Sequence, residues 1–265
     1  MRIRTFALLF VCAGLALAQA PSISDGGILN GASFTKGQAI TPGSLISIFG
    51  TNLASNLAQA DTIPLSSKLG GVSVLFINGG TAKNAPMLFA LGTQLNVQVP
   101  WDLVPAGASA NVKVIVTSNG VNSNTETVAL APFSPGVFAS NGLAIAVNNS
   151  DGTLAWPAGA VPGLATHPAK PGDVLIVYAT GLGAVADPPA DGQNSLDKLR
   201  TTLVTPQILI GGVSAKVDFS GLSPQFVGVN QINVTVPDVA PGNSVPFQIV
   251  LGGITTSGTA IAVSQ

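Results

Sequence analysis

The chain has 265 residues, of which 46% are hydrophobic and 8% are charged, with a formal net charge of −1. A charged fraction so far below the roughly 25% of ordinary soluble domains excludes disorder driven by charge repulsion. The absence of a basic patch beyond Lys198 and Arg200 also leaves nucleic-acid binding without an electrostatic basis. The 31 glycines and 19 prolines separate short apolar runs, a pattern typical of many β-strands joined by tight turns.

The first 18 residues have the features of a secretory signal peptide. Arg2 and Arg4 supply positive charge, and residues 6–17 form an apolar stretch that is too short to span a bilayer as a mature helix. Ala16 and Ala18 fit the A-x-A pattern that precedes signal cleavage. We therefore expect cleavage after Ala18 and an extracytoplasmic protein, located in the periplasm, at the cell surface or outside the cell.

Cleavage at this point would leave a mature chain that begins at Gln19 and contains no cysteine. The single cysteine, Cys12, lies inside the apolar stretch, and Val11 before it is not the small residue that a lipoprotein signal requires. The mature chain is thus expected to have no disulfide and no thiol nucleophile. No second long apolar segment follows, so we also expect no membrane span in the mature chain.

Two sequence blocks occur twice in the same order. PGSLISIFGTNL at 42–53 matches PGDVLIVYATGL at 171–182, and QLNVQVP at 94–100 matches QINVTVP at 231–237. A weaker match between them joins NGGTAK at 78–83 to GGVSAK at 211–216. The ordered blocks indicate a duplicated unit whose copies differ by small loop insertions. The alignment predicts strand positions for three equivalent pairs: Pro42 and Pro171, Phe49 and Tyr178, Val97 and Val234.

The local patterns are those of strands. In residues 94–99 and 231–236, apolar and polar side chains alternate, as in strands with one buried and one solvated face. LISIF and VLIVY are nearly continuous apolar runs, as in central strands that are covered on both faces. A hairpin with its turn at 150–152 is predicted to begin the second copy.

Together these patterns predict an all-β protein with two tandem immunoglobulin-like β-sandwiches after an N-terminal signal peptide. The expected boundaries are 1–18 for the signal peptide, 19–132 for the first unit and 133–265 for the second, which begins with a linker and a hairpin.

Each half resembles the IPT/TIG group of immunoglobulin-like domains, through the Pro-Gly start, the apolar strand, the aromatic residue and the strand that ends in Val-Pro. The chain from about 25 to 265 is similar to the Solibacter-type uncharacterized C-terminal domain family of secreted acidobacterial proteins. This second resemblance implies the sandwich fold and a secreted setting, and it implies no activity. The segments that carry it are NGASF at 30–34, PGSLISIFGTNLA at 42–54, LGGVSV at 69–74, NVQVPWDL at 96–103, SPGVF at 134–138, YATGLG at 178–183 and FVGVNQINVTVP at 226–237.

The motifs that could support catalysis are incomplete. A GxGxxA motif at 181–186 is followed by an Asp-Pro-Pro sequence, which prevents the helix that a dinucleotide site needs. His167 is the only histidine; it could join Asp173 and a serine in a triad, but no G-x-S-x-G motif is present. Glu126 is the only glutamate, and no acidic pair suggests a glycosidase. We therefore predict no enzymatic activity and no cofactor, with a hydrolase as the weakest alternative.

A polar loop after the repeated strand contains the remaining acidic candidates. Asp187, Asp191 and Asp197 could supply oxygen ligands to Ca²⁺, although their spacing fits no known calcium loop, and a solvated loop is the preferred interpretation. The copies diverge after Leu53 and Leu182, in residues 54–68 and 183–200, where insertions in a repeat often form a recognition face. Drift in solvated loops is the alternative. The candidate binding residues in this loop are Asp191, Gln193, Asn194 and Lys198.

Trp101 and Trp156 are further candidates, because exposed tryptophans often stack on sugar rings. A tryptophan near a strand end more often covers the end of a sandwich core, which is the preferred interpretation of both. The sequence as a whole predicts a secreted or cell-surface binding module for an unknown extracellular protein or glycan. The alternative is an architectural spacer in an extracellular assembly.

Overall fold

The computed structural model describes residues 19–265, and every regular element in this range is a β-strand. The all-β prediction is confirmed. The signal peptide and Cys12 lie outside the described residues. No helix in the described range is long and apolar enough to cross a membrane.

The first ten strands, which we call the first unit, form two sheets. Their strands are β1 (Ser22–Asn30), β2 (Leu45–Thr51), β3 (Ala58–Gln59), β4 (Val72–Asn78), β5 (Thr81–Asn84), β6 (Met87–Leu91), β7 (Gln94–Gln98), β8 (Ala110–Ser118), β9 (Val121–Asn122) and β10 (Glu126–Leu130). One sheet has the order β1-β2-β7-β6-β3 and the other β10-β8-β4-β5, with β9 beside β8. A continuous apolar core belongs to this unit and includes Ile46, Ile48, Phe76, Leu95 and Val114, all fully buried.

The remaining eleven strands, which we call the second unit, have a core of their own. Its strands are β11 (Gly136–Val137), β12 (Ala139–Ser140), β13 (Leu143–Ala144), β14 (Ala146–Asn148), β15 (Val174–Thr180), β16 (Gln207–Ile210), β17 (Val213–Leu222), β18 (Asn230–Thr235), β19 (Gly242–Leu251), β20 (Ile254–Thr255) and β21 (Ala260–Val263). The strand order is β11-β15-β18-β17-β16-β19-β21-β13-β12, with β14 beside β15 and β20 beside β19. The core includes Leu175, Val177, Ile208, Ile232 and Phe247, all fully buried.

The two units have the same strand register. Ile46 of β2 pairs with Val97 of β7, and the equivalent residue Leu175 of β15 pairs with Val234 of β18. The other residue pairs of β2–β7 and β15–β18 follow the same register. Because a slip by one residue would turn every apolar side chain outward, the alternating sequence specifies this register. The aligned strand residues are therefore equivalent in the fold.

Two details of the alignment were wrong. Pro42 and Pro171 lie in turns just before β2 and β15 rather than in the strands. A proline has no N–H to donate to a strand ladder, and each Pro-Gly pair serves instead to start the strand. The glycine hairpins align at 79–80 and 211–212, which shifts the weak middle block by one residue.

The hairpin predicted to begin the second unit is present. The amide of Asn148 donates to the carbonyl oxygen of Thr153, at 2.7 Å, and Val147 bridges Leu154. Asn148 pairs with Leu175 in the same register in which Asn30 of β1 pairs with Ile46. The hairpin strand β14 thus occupies the place that β1 has in the first unit.

The copies differ most at one strand. In the first unit, Pro86 separates β5, which pairs with β4, from β6, which pairs with β7. In the second unit, β17 runs without a break and pairs with both β16 and β18, with a bulge between Val217 and Phe219. Since proline cannot donate to a ladder, Pro86 accounts for the interruption.

Candidate functional site

A loop of the second unit is hydrogen-bonded to two separate segments of the first, at residues 98–101 and at Leu65. The Trp101 amide donates to Oδ1 of Asp191, at 2.8 Å, and the Gly192 amide donates to Oε1 of Gln98, at 2.7 Å. The Leu65 amide donates to the carbonyl oxygen of Gly192, at 2.8 Å. The loop at 183–200 therefore connects the units. The expectation of a solvated loop was wrong only in part, since Asn194, Ser195 and Arg200 are buried whereas residues 186–188 and 196–199 are exposed.

Burial has an electrostatic consequence for Asp191. Desolvation raises the pKa of this half-buried carboxyl group, and the hydrogen bond from the Trp101 amide opposes the rise. Burial thus favours the neutral form of Asp191, and the contact with Trp101 favours the charged form.

A second loop of the same unit, residues 223–229, also contacts the first unit. The carbonyl oxygen of Gly228 accepts hydrogen bonds from the Leu45 amide, at 3.2 Å, and from the Thr180 hydroxyl, at 2.7 Å. On another side, Nδ2 of Asn30 donates to the carbonyl oxygen of Ser134, at 2.7 Å. Polar contacts at several places thus hold the units in one arrangement.

An open groove of about 800 Å³ lies between the two units. The first unit contributes residues 60–65 and Leu88, and the second contributes residues 193–197 and 225–229. A volume of this size falls within the range of about 300–1,000 Å³ that is usual for ligand sites.

The groove has an apolar floor and an exposed apolar rim. Its buried lining side chains include Leu65 and Val227. Its rim carries Ile63, Leu196 and Phe226, which are 45%, 67% and 51% exposed. The ring of Phe226 stands edge-on to that of Tyr178, with 5.8 Å between the ring centroids. Large apolar side chains that remain solvated around a concavity are typical of a contact surface.

Polar groups are interspersed along the same groove. The lining includes the side-chain amides of Gln193, Asn194 and Gln225 and the carboxylates of Asp61 and Asp197. The Arg200 guanidinium donates two hydrogen bonds to the Asp197 carboxylate, from Nη1 to Oδ1 at 2.6 Å and from Nη2 to Oδ2 at 3.0 Å. This pairing lowers the pKa of the Asp197 carboxyl group. No lysine, arginine or histidine lines the groove within residues 19–265. Its electrostatic character is therefore acidic to neutral.

The groove is built where the two copies differ. The turn between β6 and β7 has two residues, 92–93, whereas the equivalent connection between β17 and β18 has seven, 223–229. The divergent loops 54–68 and 183–200 also meet here, through residues 60–65 and 193–197. The loops that diverge in sequence after Leu53 and Leu182 thus both contribute to the groove.

Comparison with known proteins gives no family. No protein-family model matches the sequence, and a search of curated proteins finds no relative. Similar solved structures include SGBP-B of the Bacteroides ovatus mixed-linkage glucan utilization locus in complex with a mixed-linkage heptasaccharide, at 13% identity and a TM-score of 0.38. The match covers 94% of this chain and 46% of that one, so the chain spans less than half of it.

Two other similar structures consist of tandem domains. They are titin domains Z1Z2 in complex with telethonin, at 11% identity and a TM-score of 0.24, and domains 5–6 of the S-layer protein SbsC, at 10% identity and a TM-score of 0.26. The matches cover 94% and 92% of this chain and 98% of each of the others. With TM-scores below 0.5, these likenesses carry no conclusion about the function of this chain.

The sequence-predicted loop residues divide between two roles. Gln193 and Asn194 line the groove, while Asp191 bonds to the first unit. Lys198 pairs with Asp187 outside the groove lining. The four candidate binding residues therefore do not form one surface.

The three candidate calcium ligands do not converge. Asp187 pairs with Lys198, Asp191 accepts from the Trp101 amide, and Asp197 pairs with Arg200. Within residues 19–265 no group of three His, Cys, Asp or Glu side chains could hold a metal ion. Each carboxylate is used in a structural contact.

Both tryptophans pack against other parts of the chain, Trp156 fully and Trp101 in part. Trp156 is buried in the second unit, and its Nε1 donates to the carbonyl oxygen of Ala144, at 2.6 Å. The six-membered ring of Trp101 fills the space where Gly43 lacks a Cβ, and its Nε1 is buried without a hydrogen-bond partner among the described residues. The idea that Trp156 stacks on a sugar is wrong, and the space-filling interpretation fits its environment.

His167 does not form a catalytic triad. Its Nε2 lies 2.7 Å from Oδ2 of Asp151, and its Nδ1 lies 2.8 Å from the carbonyl oxygen of Pro168. Asp173 instead accepts a hydrogen bond from the Lys170 amide. Because both ring nitrogens face acceptors, the protonated ring is favoured, and the Asp151 hydrogen bond raises the pKa of His167. No described serine bonds to this ring.

The GxGxxA motif has a packing role. At Gly181 a Cβ would collide with the carbonyl oxygen of Ser134, and at Gly183 it would lie 2.7 Å from the Phe133 ring. No helix follows in residues 184–206. The glycines let the end of β15 approach the segment that joins the units, which explains the motif without a nucleotide.

Proposed function

We propose that this protein is a non-enzymatic binding module that acts outside the cytoplasm and uses the groove between its two sandwiches to hold a protein or glycan partner. The observation that carries the proposal is the apolar rim of Ile63, Leu196 and Phe226 around an open groove. Two units fixed to each other by several hydrogen bonds offer such a partner a preformed site, which reduces the entropy cost of binding.

The setting and the family belong to the same proposal. Residues 1–18 are proposed to be a cleaved signal peptide, and residues 19–132 and 133–265 to be two IPT/TIG-like domains of the Solibacter-type family. Intact-mass measurement of the secreted protein should give a chain that begins at Gln19. Retention of Met1 would contradict the export proposal.

A catalytic role has little support. His167 is committed to Asp151 and Pro168, and the described carboxylates that cluster in sequence are engaged in separate contacts. A spacer role has one supporting observation, because the hydrogen bonds from the Trp101 amide to Asp191 and from the Gly192 amide to Gln98 fix the units in one arrangement.

The test compares Phe226→Ser with Phe34→Ser. Phe34 is a matched control because it is 48% exposed and packs beside Phe49, which is equivalent to Tyr178, yet it does not line the groove. A glycan array and pull-downs from the secreted fraction should detect a ligand that the Phe226 variant loses and the Phe34 variant keeps. If neither assay detects a groove-dependent ligand, the spacer role is favoured.

A further inference from the structure

We propose that the ligand of the groove is a segment of another protein, with apolar side chains flanked by lysine or arginine. This inference rests on the proposed function and adds the chemistry of the ligand. It depends on three properties of the groove: the position of its apolar groups, its available hydrogen-bonding groups and its charge.

The apolar groups favour side chains over sugar rings. Sugars stack on open aromatic faces, but Trp156 is buried and Trp101 is packed against Gly43. Phe226 is the one aromatic side chain in the groove lining. The other apolar rim groups, Ile63 and Leu196, are aliphatic and present no flat face. Aliphatic or aromatic side chains of a peptide would bury this surface more completely than a polyol would.

The polar groups suit a peptide backbone. The side-chain amides of Gln193, Asn194 and Gln225 line the groove and make no hydrogen bond with other described residues. Each amide has both a donor and an acceptor, as does the peptide unit. Asn194 lies beside the floor, and its amide atoms are not among the buried atoms that lack a partner, so a bound backbone would replace water there.

The charge of the groove indicates which charge the residues beside the apolar side chains of the ligand should carry. Asp61 is an exposed carboxylate with no ion pair in the described residues, whereas Asp197 on the other wall is paired with Arg200. No cationic side chain lines the groove in the described range. Residues 19–265 hold eight Lys and Arg against eleven Asp and Glu, so a second copy of this chain would bring further negative charge. Charge complementarity therefore favours a basic segment of a different protein.

The experiment selects random dodecapeptides displayed on phage against the purified protein and counter-selects them against Phe226→Ser. Enriched peptides should combine large apolar residues with Lys or Arg. A synthetic copy of the most enriched peptide is then measured by fluorescence anisotropy. Phe226→Ser and Leu196→Ser should each weaken its binding by about tenfold or more, as expected for central apolar contacts.

Two further variants test charge and specificity. Asp61→Asn should weaken the same peptide by about threefold and reduce the salt dependence of its binding. Phe34→Ser should bind like the original protein. Melting curves show whether each variant is folded, and since Leu196 is more exposed than Phe226, its variant serves if Phe226→Ser unfolds.

Several results would overturn the inference. Enriched peptides without basic residues, or binding that is unchanged in both groove variants, would contradict it. If an oligosaccharide binds in the same assay and Phe226→Ser abolishes this binding, the inference of a peptide ligand is overturned and the proposed function stands. A dimer seen by sedimentation and lost in Phe226→Ser would identify a second copy instead. If peptides, oligosaccharides and dimerisation all prove independent of the groove, the proposed function fails as well.

Discussion

The backbone amide of Leu65 donates a hydrogen bond of 2.8 Å to the carbonyl oxygen of Gly192, across the boundary between the two units. Gly192 has a φ of +80°, and a Cβ here would lie 2.7 Å from the Leu65 carbonyl oxygen and 3.2 Å from Cβ of Pro86. The approach of the two loops at the groove floor therefore requires a residue without a side chain.

Gly192→Ala should destabilise the protein through two separable effects. Both this substitution and Gly163→Ala place a side chain at a φ of +80°, but nothing lies within 4 Å of the Gly163 Cβ position. The left-handed backbone should cost each variant about 1–2 kcal/mol. The collision with Leu65 should cost Gly192→Ala roughly 1–3 kcal/mol more. Urea denaturation measures the difference, and equal losses would contradict the tight contact.

Trp156→Phe should destabilise the protein more than Trp101→Phe. Loss of the Trp156 indole leaves the carbonyl oxygen of Ala144 without this donor, at a cost of about 1–3 kcal/mol. The Trp101 indole nitrogen is already buried without a partner among the described residues, so its removal takes away no hydrogen bond. Chemical denaturation of the two variants compares the costs. The reverse order would show that Trp101 has a partner.

Arg200→Lys should loosen the loop at 183–200. The buried guanidinium donates to both carboxylate oxygens of Asp197, to the Ser195 hydroxyl and to the carbonyl oxygen of Asp187. A lysine cannot reproduce this fork, and we expect a loss of about 2 kcal/mol.

Limited proteolysis should then cut the loop faster in Arg200→Lys. Lys216→Ala is the control, because Lys216 forms an exposed pair with Asp218 and its loss should not change stability measurably. Equal behaviour of the two variants would argue against a clamping role for Arg200.

The pair of His167 and Asp151 should give a small pH-dependent stability. The pKa of His167 is raised above 6.5, so its contribution is fully present below pH 6.5 and is lost as the pH rises through the folded-state value. The hydrogen bond with His167 is the main cause that lowers the pKa of Asp151 from 3.8 to about 2, so that contribution is present above pH 3.8 and is lost on acidification towards 2.

The stability difference between the original protein and Asp151→Asn should therefore be largest between about pH 4 and 6.5. It should shrink on both sides of this window, and the pair's exposure to solvent keeps the effect small. Melting temperatures measured from pH 3 to 9 give the profile. A difference that does not change with pH would show that the two side chains do not interact in solution.

The strands were predictable because one alternation pattern specifies both the face and the register of a strand. The alternation in β7 shows that Leu95 and Val97 are buried, although Gln98 is buried as well, and in β18 it shows that Ile232 and Val234 are buried. The break at Pro86 could also have been read from the sequence, because a proline removes a ladder hydrogen bond.

The groove was less accessible to sequence reasoning. The loop at 183–200 has the composition of a solvated segment, yet Asp191 and Gly192 bond to Trp101 and Gln98, which are about ninety residues away in sequence. Local composition carries no information on such distant partners. Phe226 and Leu196 gave one available signal, since each is a large apolar residue in a polar loop.

Because β2–β7 and β15–β18 share one register, strands of different units could also pair with each other during folding. A nascent β2 could pair with β18 through the same backbone hydrogen bonds that it makes with β7, and tandem repeats commonly misfold by such exchange. The connections that lead into β7 and β18 differ, with two residues at 92–93 and seven at 223–229. An exchanged pair would carry the longer loop away from Thr180, whose hydroxyl bonds to Gly228 only when β18 lies beside β15. The difference between the two loops therefore favours the native pairs, β2 with β7 and β15 with β18, over exchanged pairs.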